Sequence, residues 1–403
     1  MDLDLTAAQR AFRDEARAWL TAHVPAAPLP SLETAEGFAA HREWERTLAR
    51  GRWSAVTWPE RYGGRGVSVM EWLIFEEEYY AAGAPGRVAQ NGISLLAPTL
   101  MEHGSEAQRA RILPDMASGA VIWAQAWSEP ESGSDLASLR STATRTDGGW
   151  LLDGQKTWSS RAAFADRAFG LFRSAPGTDR PHRGLTYLMF RLDAPGVTVR
   201  PIGRLDGKPA FAELFLDSVF VPEEDVVGEP GDGWRVAMST AGNERGLTLR
   251  SSGRFTAAAD RLRTLWQERG QAFDTAMRDR VADAVIGAEA YRLFALATAS
   301  RIDDGSSPSG PRGGGSNGGG PAGAESSLNK VFWSELDIAL HETALDLLGP
   351  YGELSDLADE APDHGSWAEG HVFSLAGPLY AGTNEIQRDI IAERLLGLPK
   401  GRR

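Results

Sequence analysis

The 403-residue chain has no cysteine. Disulfides, thiolate nucleophiles and cysteine metal ligands are therefore excluded. Histidine is scarce too, seven in all. None of the seven falls in an HExxH or similar ligand spacing, so a metal centre is not expected. Basic residues are outnumbered: 42 Lys and Arg against 55 Asp and Glu give a formal net charge of -13. That sign argues against a nucleic-acid groove. No apolar run approaches the roughly 20 residues needed to span a bilayer. The start, MDLDLTAAQRAF, is acidic and amphipathic, without the basic region and apolar run of a secretory signal. A cytoplasmic enzyme with no membrane association is the expectation. A GxSxG elbow is missing as well, and no His is patterned with a candidate Ser, which removes a hydrolase reading.

What remains is ordinary globular composition, 42% apolar and 24% charged, on a chain too long for one small core. Residues 1–120 read as helical. Leu5, Phe12, Ala16, Trp19 and Leu20 recur at helical spacing, and Thr6 with Gln9 fits a capping box. Helical WLIFEEEYYAAG is ended by Gly83 and Pro85. From residue 121 the texture changes. STATRTDGGWLLDGQKTWSS alternates polar and apolar residues around DGG and DG turns, as hairpins do. LTYLMFRLDAPGVTVRPIG and AELFLDSVFVP continue as strands to about residue 233. Helix returns over 234–403, interrupted by a Gly/Ser/Pro-rich stretch, 303–327, expected to be a mobile loop. Gly313, Gly315 and Gly318 there match GxGxxG, but no strand precedes them, so the match is not a nucleotide fingerprint. The expected order is helical, then β, then helical.

Three separated segments carry a family resemblance. WAQAWSEPESGSDL (123–136) is similar to a TEPxAGSD pattern, LLDGQKTWSSRAAFADRA (151–168) to NGxKxWITNAxxAD, and YAGTNEIQRDIIAERLLG (380–397) to a C-terminal flavin-site loop. WPERYGGRG (58–66) and DSVFVPEEDVVGE (217–229) add to the match. In order and spacing the chain resembles the FAD-dependent acyl-CoA dehydrogenases. The resemblance implies an α+β multidomain fold. Its parts are an N-terminal all-α domain (1–120), a central antiparallel β-barrel or sandwich domain (121–233) and a C-terminal four-helix bundle (234–403). It also implies α,β-dehydrogenation of an acyl thioester, acyl-CoA to trans-2-enoyl-CoA. A glutamate removes the α-proton and the β-hydride goes to flavin N5.

On the residues alone, Ser128, Ser134 and Ser160 read more readily as local caps than as ligands, and Trp158 as core. The resemblance places Ser128, Trp158 and Ser160 against the flavin and Ser134 nearer the acyl-CoA. It places Thr383 and Glu385 at the flavin's phosphate and ribityl end. Many members carry the catalytic glutamate at the position occupied here by Ala381. Isovaleryl-CoA and long-chain acyl-CoA dehydrogenases carry it instead on the helix that opens the C-terminal domain. AGNERGLTLR (241–250) matches that second pattern. Glu244 is therefore expected to be the base, with Arg245 contacting the acyl-CoA.

Two departures from the pattern bear on assembly. The family's RxxFGxxIxxxQ segment reaches a neighbouring subunit's flavin. Here it corresponds to RLRTLWQERGQAFDTAMRDRVAD (261–283), which lacks the FG pair and has Thr275 near the Gln position. Arg278 or Arg280 could supply the phosphate donor. LLGPYGEL (347–354) stands where much of the family has GGxG. A homodimer, a homotetramer and a two-component hetero-oligomer all remain open. So do CoA or an acyl-carrier protein as the thioester carrier. The expected electron acceptor is an electron-transfer flavoprotein. Two alternatives stand beside the dehydrogenase: a non-catalytic or co-catalytic subunit, and a flavin oxidase or monooxygenase on the same fold.

Overall fold

A computed structural model describes residues 4–175, 181–245, 251–271, 273–304 and 321–400, excepting the side chains of 244–245 and 321–324. Five helices come first: α1 (Ala7–His23), α2 (Ala35–Arg50), α3 (Val69–Ala81), α4 (Ala97–His103) and α5 (Glu106–Ala117). Their starts are written locally. Thr6–Gln9, Ser68–Glu71 and Ser105–Gln108 each form a reciprocal capping box, typically worth about 1 kcal/mol per cap. Gly83, at φ +64°, lies just past the end of α3, as its sequence position implied.

Eight strands follow: β1 (Trp123–Ala126), β2 (Thr142–Thr146), β3 (Gly149–Ser160), β4 (Arg167–Arg173), β5 (Leu185–Arg191), β6 (Val197–Ile202), β7 (Phe211–Pro222) and β8 (Val226–Val227). They form one sheet in the order β6-β7-β3-β2-β4-β5-β8, with β1 beside β4. The pairing is antiparallel except along β1–β4 and at the single β2–β4 pair, Thr142 with Arg173. That one-pair link joins two halves that bury a common core. Trp150, Leu152, Leu214 and Val219 come from one half, and Ala126, Ala168, Phe172 and Leu188 from the other. This is the sandwich-like arrangement expected of two inward-facing apolar faces.

The DGG signal gives a two-residue turn at Asp147–Gly148, between paired Thr146 and Gly149. The DG at 153–154 does not turn. Gly154 lies inside β3 at φ +139°, paired with Leu216, and Asp153 before it faces two residues of β7, Asp217 and Ser218. Ser218 sits at φ +53°, its N–H donating to Asp153 Oδ1 at 2.8 Å.

The C-terminal helices are α6 (Gly233–Arg245), α7 (Ser252–Arg269), α8 (Thr275–Asp303), α9 (Pro321–Leu348), α10 (Ser366–Ser374) and α11 (Asn384–Ile390). The stretch expected as loop over 303–327 is helical at both ends, in α8 at Asp303 and in α9 from Pro321. At Pro321 a missing N–H costs a first helical turn nothing. Residues 305–320 lie outside the described residues.

The chain packs as two compact units: Met1–Val24 with Ser68–Ala84 and Arg245–Arg403, and Pro25–Val67 with Pro85–Glu244. The early helices are thus divided. α3 buries Trp72, Leu73, Ile74, Phe75 and Tyr79, too much apolar surface for one covering face. It packs with α1, α7 and α8. Gly253 on α7 permits this approach, since a Cβ there would lie 2.7 Å from the Glu76 carbonyl. α7, α8 and α9 share a core of Phe255, Leu262, Tyr291, Trp333 and Leu340.

Candidate active site

The sheet-bearing unit brings three of the expected residues together. β1 ends at Ala126, and the chain leaves it through Trp127 and Ser128. The Thr157 N–H donates to the Ser128 carbonyl at 2.9 Å, tying this exit to β3. At that point β3 is irregular. Lys156 pairs with Leu214 and Ser159 with Ala212, so Thr157 and Trp158 together oppose one residue of β7. This β-bulge re-aims a side chain. Trp158 stands at φ +59° and is 59% exposed, its ring edge-on to Phe211 at 5.8 Å. A reading of Trp158 as core is overturned. Bulky residues at positive φ are outliers that cluster at functional sites. Ser128 and Ser160 are half-buried on either side.

A flat heteroaromatic ligand needs an exposed ring to pack on and donors aimed at its heteroatoms. Two buried polar atoms next in sequence to Trp158 and Ser128, Ser159 Oγ and Trp127 Nε1, have no partner among the described residues. Natural structures leave few such atoms without a reason. The residues present fit a flavin ring. Ser134 is not gathered with them. It is exposed on the following turn, which is closed by Ser132 Oγ donating to the Asp135 carbonyl at 2.7 Å.

Beneath the bulge lies a pair to which sequence reasoning gave no role. Lys156 is fully buried. Its amine donates to Glu129 Oε1 at 2.8 Å, to the Leu171 carbonyl at 2.8 Å and to the Trp127 carbonyl at 3.4 Å. Glu129 also accepts from the backbone of Arg140 at 2.6 Å and Ser141 at 3.0 Å. Burial pulls the amine down from 10.5 to about 8 against the opposing pull of Glu129. Burial pushes Glu129 up, but Lys156 and the Arg140 and Ser141 bonds hold it below the usual carboxylate range. Both shifts are downward: burial outweighs Glu129 at the fully enclosed amine, whereas at Glu129 the donors outweigh burial. With three oxygens around it, the amine is charged at neutral pH, and so is its partner.

The helical unit carries the other expected group. Ala381 and Gly382 have φ of +57° and +78° and turn the chain into α11. Thr383 caps that helix, accepting from the Ile386 N–H at 3.3 Å. Gln387 Nε2 donates to the Ala381 and Gly382 carbonyls at 3.1 and 3.2 Å, and its own Oε1 is buried without a partner among the described residues. Behind the turn, Asn384 Oδ1 accepts from Lys330 Nζ at 2.8 Å and Ser334 Oγ at 3.1 Å. Glu385 is exposed. Its own N–H, then Thr383, hold its carboxyl below the usual range. Ala381 offers only a methyl group and can accept no proton.

Glu244 and Arg245 close the described part of α6, and their side chains lie outside the described residues. Of the two arginines considered as phosphate donors, Arg278 is held by Asp279 at 3.0 Å and Arg280 by Asp346 at 2.6 Å.

Comparison with known proteins agrees along the whole chain. Residues 6–120 match the acyl-CoA dehydrogenase N-terminal domain, 124–219 the middle domain and 231–396 the C-terminal domain. Acyl-CoA dehydrogenase IpdE1 of Mycolicibacterium smegmatis is 37% identical over 406 residues, covering 96% of this chain and 97% of the relative. The solved structure of the Tcur3481-Tcur3483 steroid ACAD superposes with a TM-score of 0.84 at 26% identity, covering all of both chains. That of the ChsE4-ChsE5 complex from Mycobacterium tuberculosis does so with a TM-score of 0.81 at 30% identity, again covering all of both. The chain belongs to the acyl-CoA dehydrogenase family of FAD-dependent enzymes.

Proposed function

We propose that the protein catalyses α,β-dehydrogenation of an acyl thioester, with Glu244 as the base. The observation that carries this reading is the bulge at Trp158. A large ring held at positive φ and more than half exposed has no packing reason to be there. It has one if a flavin ring covers it. Bound FAD supplies the acceptor for the β-hydride. Ser128 and Ser160 donate to the flavin's heteroatoms. Thr383 and Glu385 bind toward its phosphate and ribityl end. Ser134 and Arg245 contact the thioester carrier. Glu244 takes the α-proton. That proton is weakly acidic, so the thioester carbonyl must be polarised by hydrogen bonds and the carboxylate made more basic by exclusion of water. Ala381 supports this division of roles, because no acceptor competes from the C-terminal loop.

The relatives bear on the substrate and the assembly. One is a steroid ACAD and two are named as pairs of chains. The proposed substrate is accordingly a CoA thioester of a bulky, ring-bearing acid. The proposed assembly is a hetero-oligomer with a second chain of the same family, passing electrons to an electron-transfer flavoprotein. Among the described residues no helix is long and apolar enough to cross a membrane.

The test is anaerobic titration of the flavin-loaded protein with a panel of acyl-CoA thioesters, run on wild type and Glu244→Gln. Bleaching of the visible flavin bands in wild type only, with colour retained in the variant, is expected. Wild-type turnover by Glu244→Gln would remove the base assignment. Fast reoxidation by oxygen after bleaching would favour an oxidase instead. Should the chain take up FAD only when its partner is added, the co-catalytic reading is favoured.

A further inference from the structure

Trp158 is not alone in its strain. Three residues later, Arg161 has φ +54°. Between the two lie Ser159, with its unpartnered hydroxyl, and Ser160. The backbone at Arg161 is fully used. Its N–H donates to the Ala210 carbonyl at 2.8 Å, and its carbonyl accepts from Phe164 and Ala165 at 3.0 and 3.1 Å. This is a tight left-handed turn closing β3. The related pattern has Asn at this place, NGxKxWITNA against this chain's DGQKTWSSRA. Asn tolerates the left-handed region and Arg does so far less readily.

Something outside the turn must hold Arg161 there, and the structure shows what does. The Arg161 guanidinium grips Glu33 with Nε at 3.2 Å from each carboxylate oxygen and Nη2 at 2.8 Å from Oε1. The Glu33 side chain is only 4% exposed and that of Arg161 19%. Glu33 is itself fixed. It immediately precedes Thr34, the cap of α2. Arg204 Nη1 stands 3.9 Å from the same Oε1, and Arg204 is anchored in turn to Asp206 at 2.5 and 3.2 Å. α2 itself also touches the turn, with Phe38 packed on Phe164 at 5.3 Å between ring centres. A fork-shaped guanidinium on a buried carboxylate is a rigid connection, unlike an exposed ion pair.

We propose that Arg161, clamped by Glu33, is a positioning residue that holds the Trp158–Ser160 segment in its flavin-facing conformation. The segment before α2 thereby replaces the self-supporting Asn of the related pattern. The inference rests on the flavin reading of Trp158. It makes the site's geometry depend on a residue 128 positions earlier in the chain.

A double-mutant cycle in the full chain tests this. Glu33→Gln and Arg161→Ala should each speed amide hydrogen exchange across residues 159–165, including the Arg161, Phe164 and Ala165 N–H groups, by about tenfold. Each should weaken FAD binding by a similar factor and alter the flavin's visible circular dichroism. Arg161→Asn should restore both readouts to near wild type, and adding Glu33→Gln to it should then change nothing. Unchanged exchange in Glu33→Gln would overturn the proposal. So would a loss in Arg161→Asn as large as that in Arg161→Ala. Trp158→Ala separates the two readings. If it leaves FAD affinity at the wild-type level, the flavin assignment fails. If it weakens FAD while Arg161→Ala does not, only the clamp fails.

Discussion

Replacing Lys156 by Met leaves a carboxylate in the sheet core without its counter-charge, and the size of the loss follows from the contacts. The amine is fully enclosed and its three acceptors are Glu129, Leu171 and Trp127. Met fills most of the volume, so the packing loss is small. Glu129 keeps the Arg140 and Ser141 N–H groups, but two backbone donors do not balance a buried charge. Removal of one partner from such a pair costs about 3–5 kcal/mol. For a unit of this size that lowers the thermal midpoint by roughly 6–20 °C, at about 2–4 °C per kcal/mol. Differential scanning calorimetry of the FAD-free protein measures it. The double variant Lys156→Met/Glu129→Gln should recover more than half of the loss, because a neutral pair in the same space has no unpaired charge. A loss under about 1 kcal/mol in the single variant would refute the reasoning, as would a double variant no better than the single.

The same pair gives a pH signature whose sign can be worked out. The folded amine titrates near 8, the unfolded one near 10.5. Below about pH 8 both states carry the proton, and the full cost of burying the charge is present. Between about 8 and 10.5 the unfolded chain binds more protons than the folded one, so stability from this group rises with pH. Lys156→Met lacks that rise. The difference in stability between the two proteins should therefore change through this window, as urea titrations would show.

Two further substitutions address the site directly. Trp158→Ala removes a side chain that is 59% exposed, so the FAD-free protein should keep its stability within about 0.5 kcal/mol. FAD affinity, read by fluorescence titration, should fall at least about tenfold. Thr383→Ala removes the α11 cap and should cost about 1 kcal/mol, with a fall in FAD content on purification. Full FAD occupancy in that variant would detach the cap from the flavin.

The layout of the chain was legible because its signals are local. The Thr6–Gln9 capping box, the Asp147–Gly148 turn and the alternating strands each depend on residues within a few positions of one another. The Asp153–Gly154 dipeptide misled for a related reason. The same residues serve a turn and a bulge, and the difference lies in Ser218 on the partner strand. The candidate site was legible only by motif. Nothing in TWSSR announces a left-handed backbone, because Thr and Trp read as strand and Ser and Arg read as neutral. A strained position lacks a local signature by its nature. If neighbouring residues favoured its conformation it would not be strained, so the groups that hold it must come from elsewhere in the chain. Arg161 is held by Glu33, 128 residues earlier. The departure from Asn at position 161 was therefore the one visible mark of the clamp. A residue that cannot support its own turn implies a partner, and only the fold could say which one.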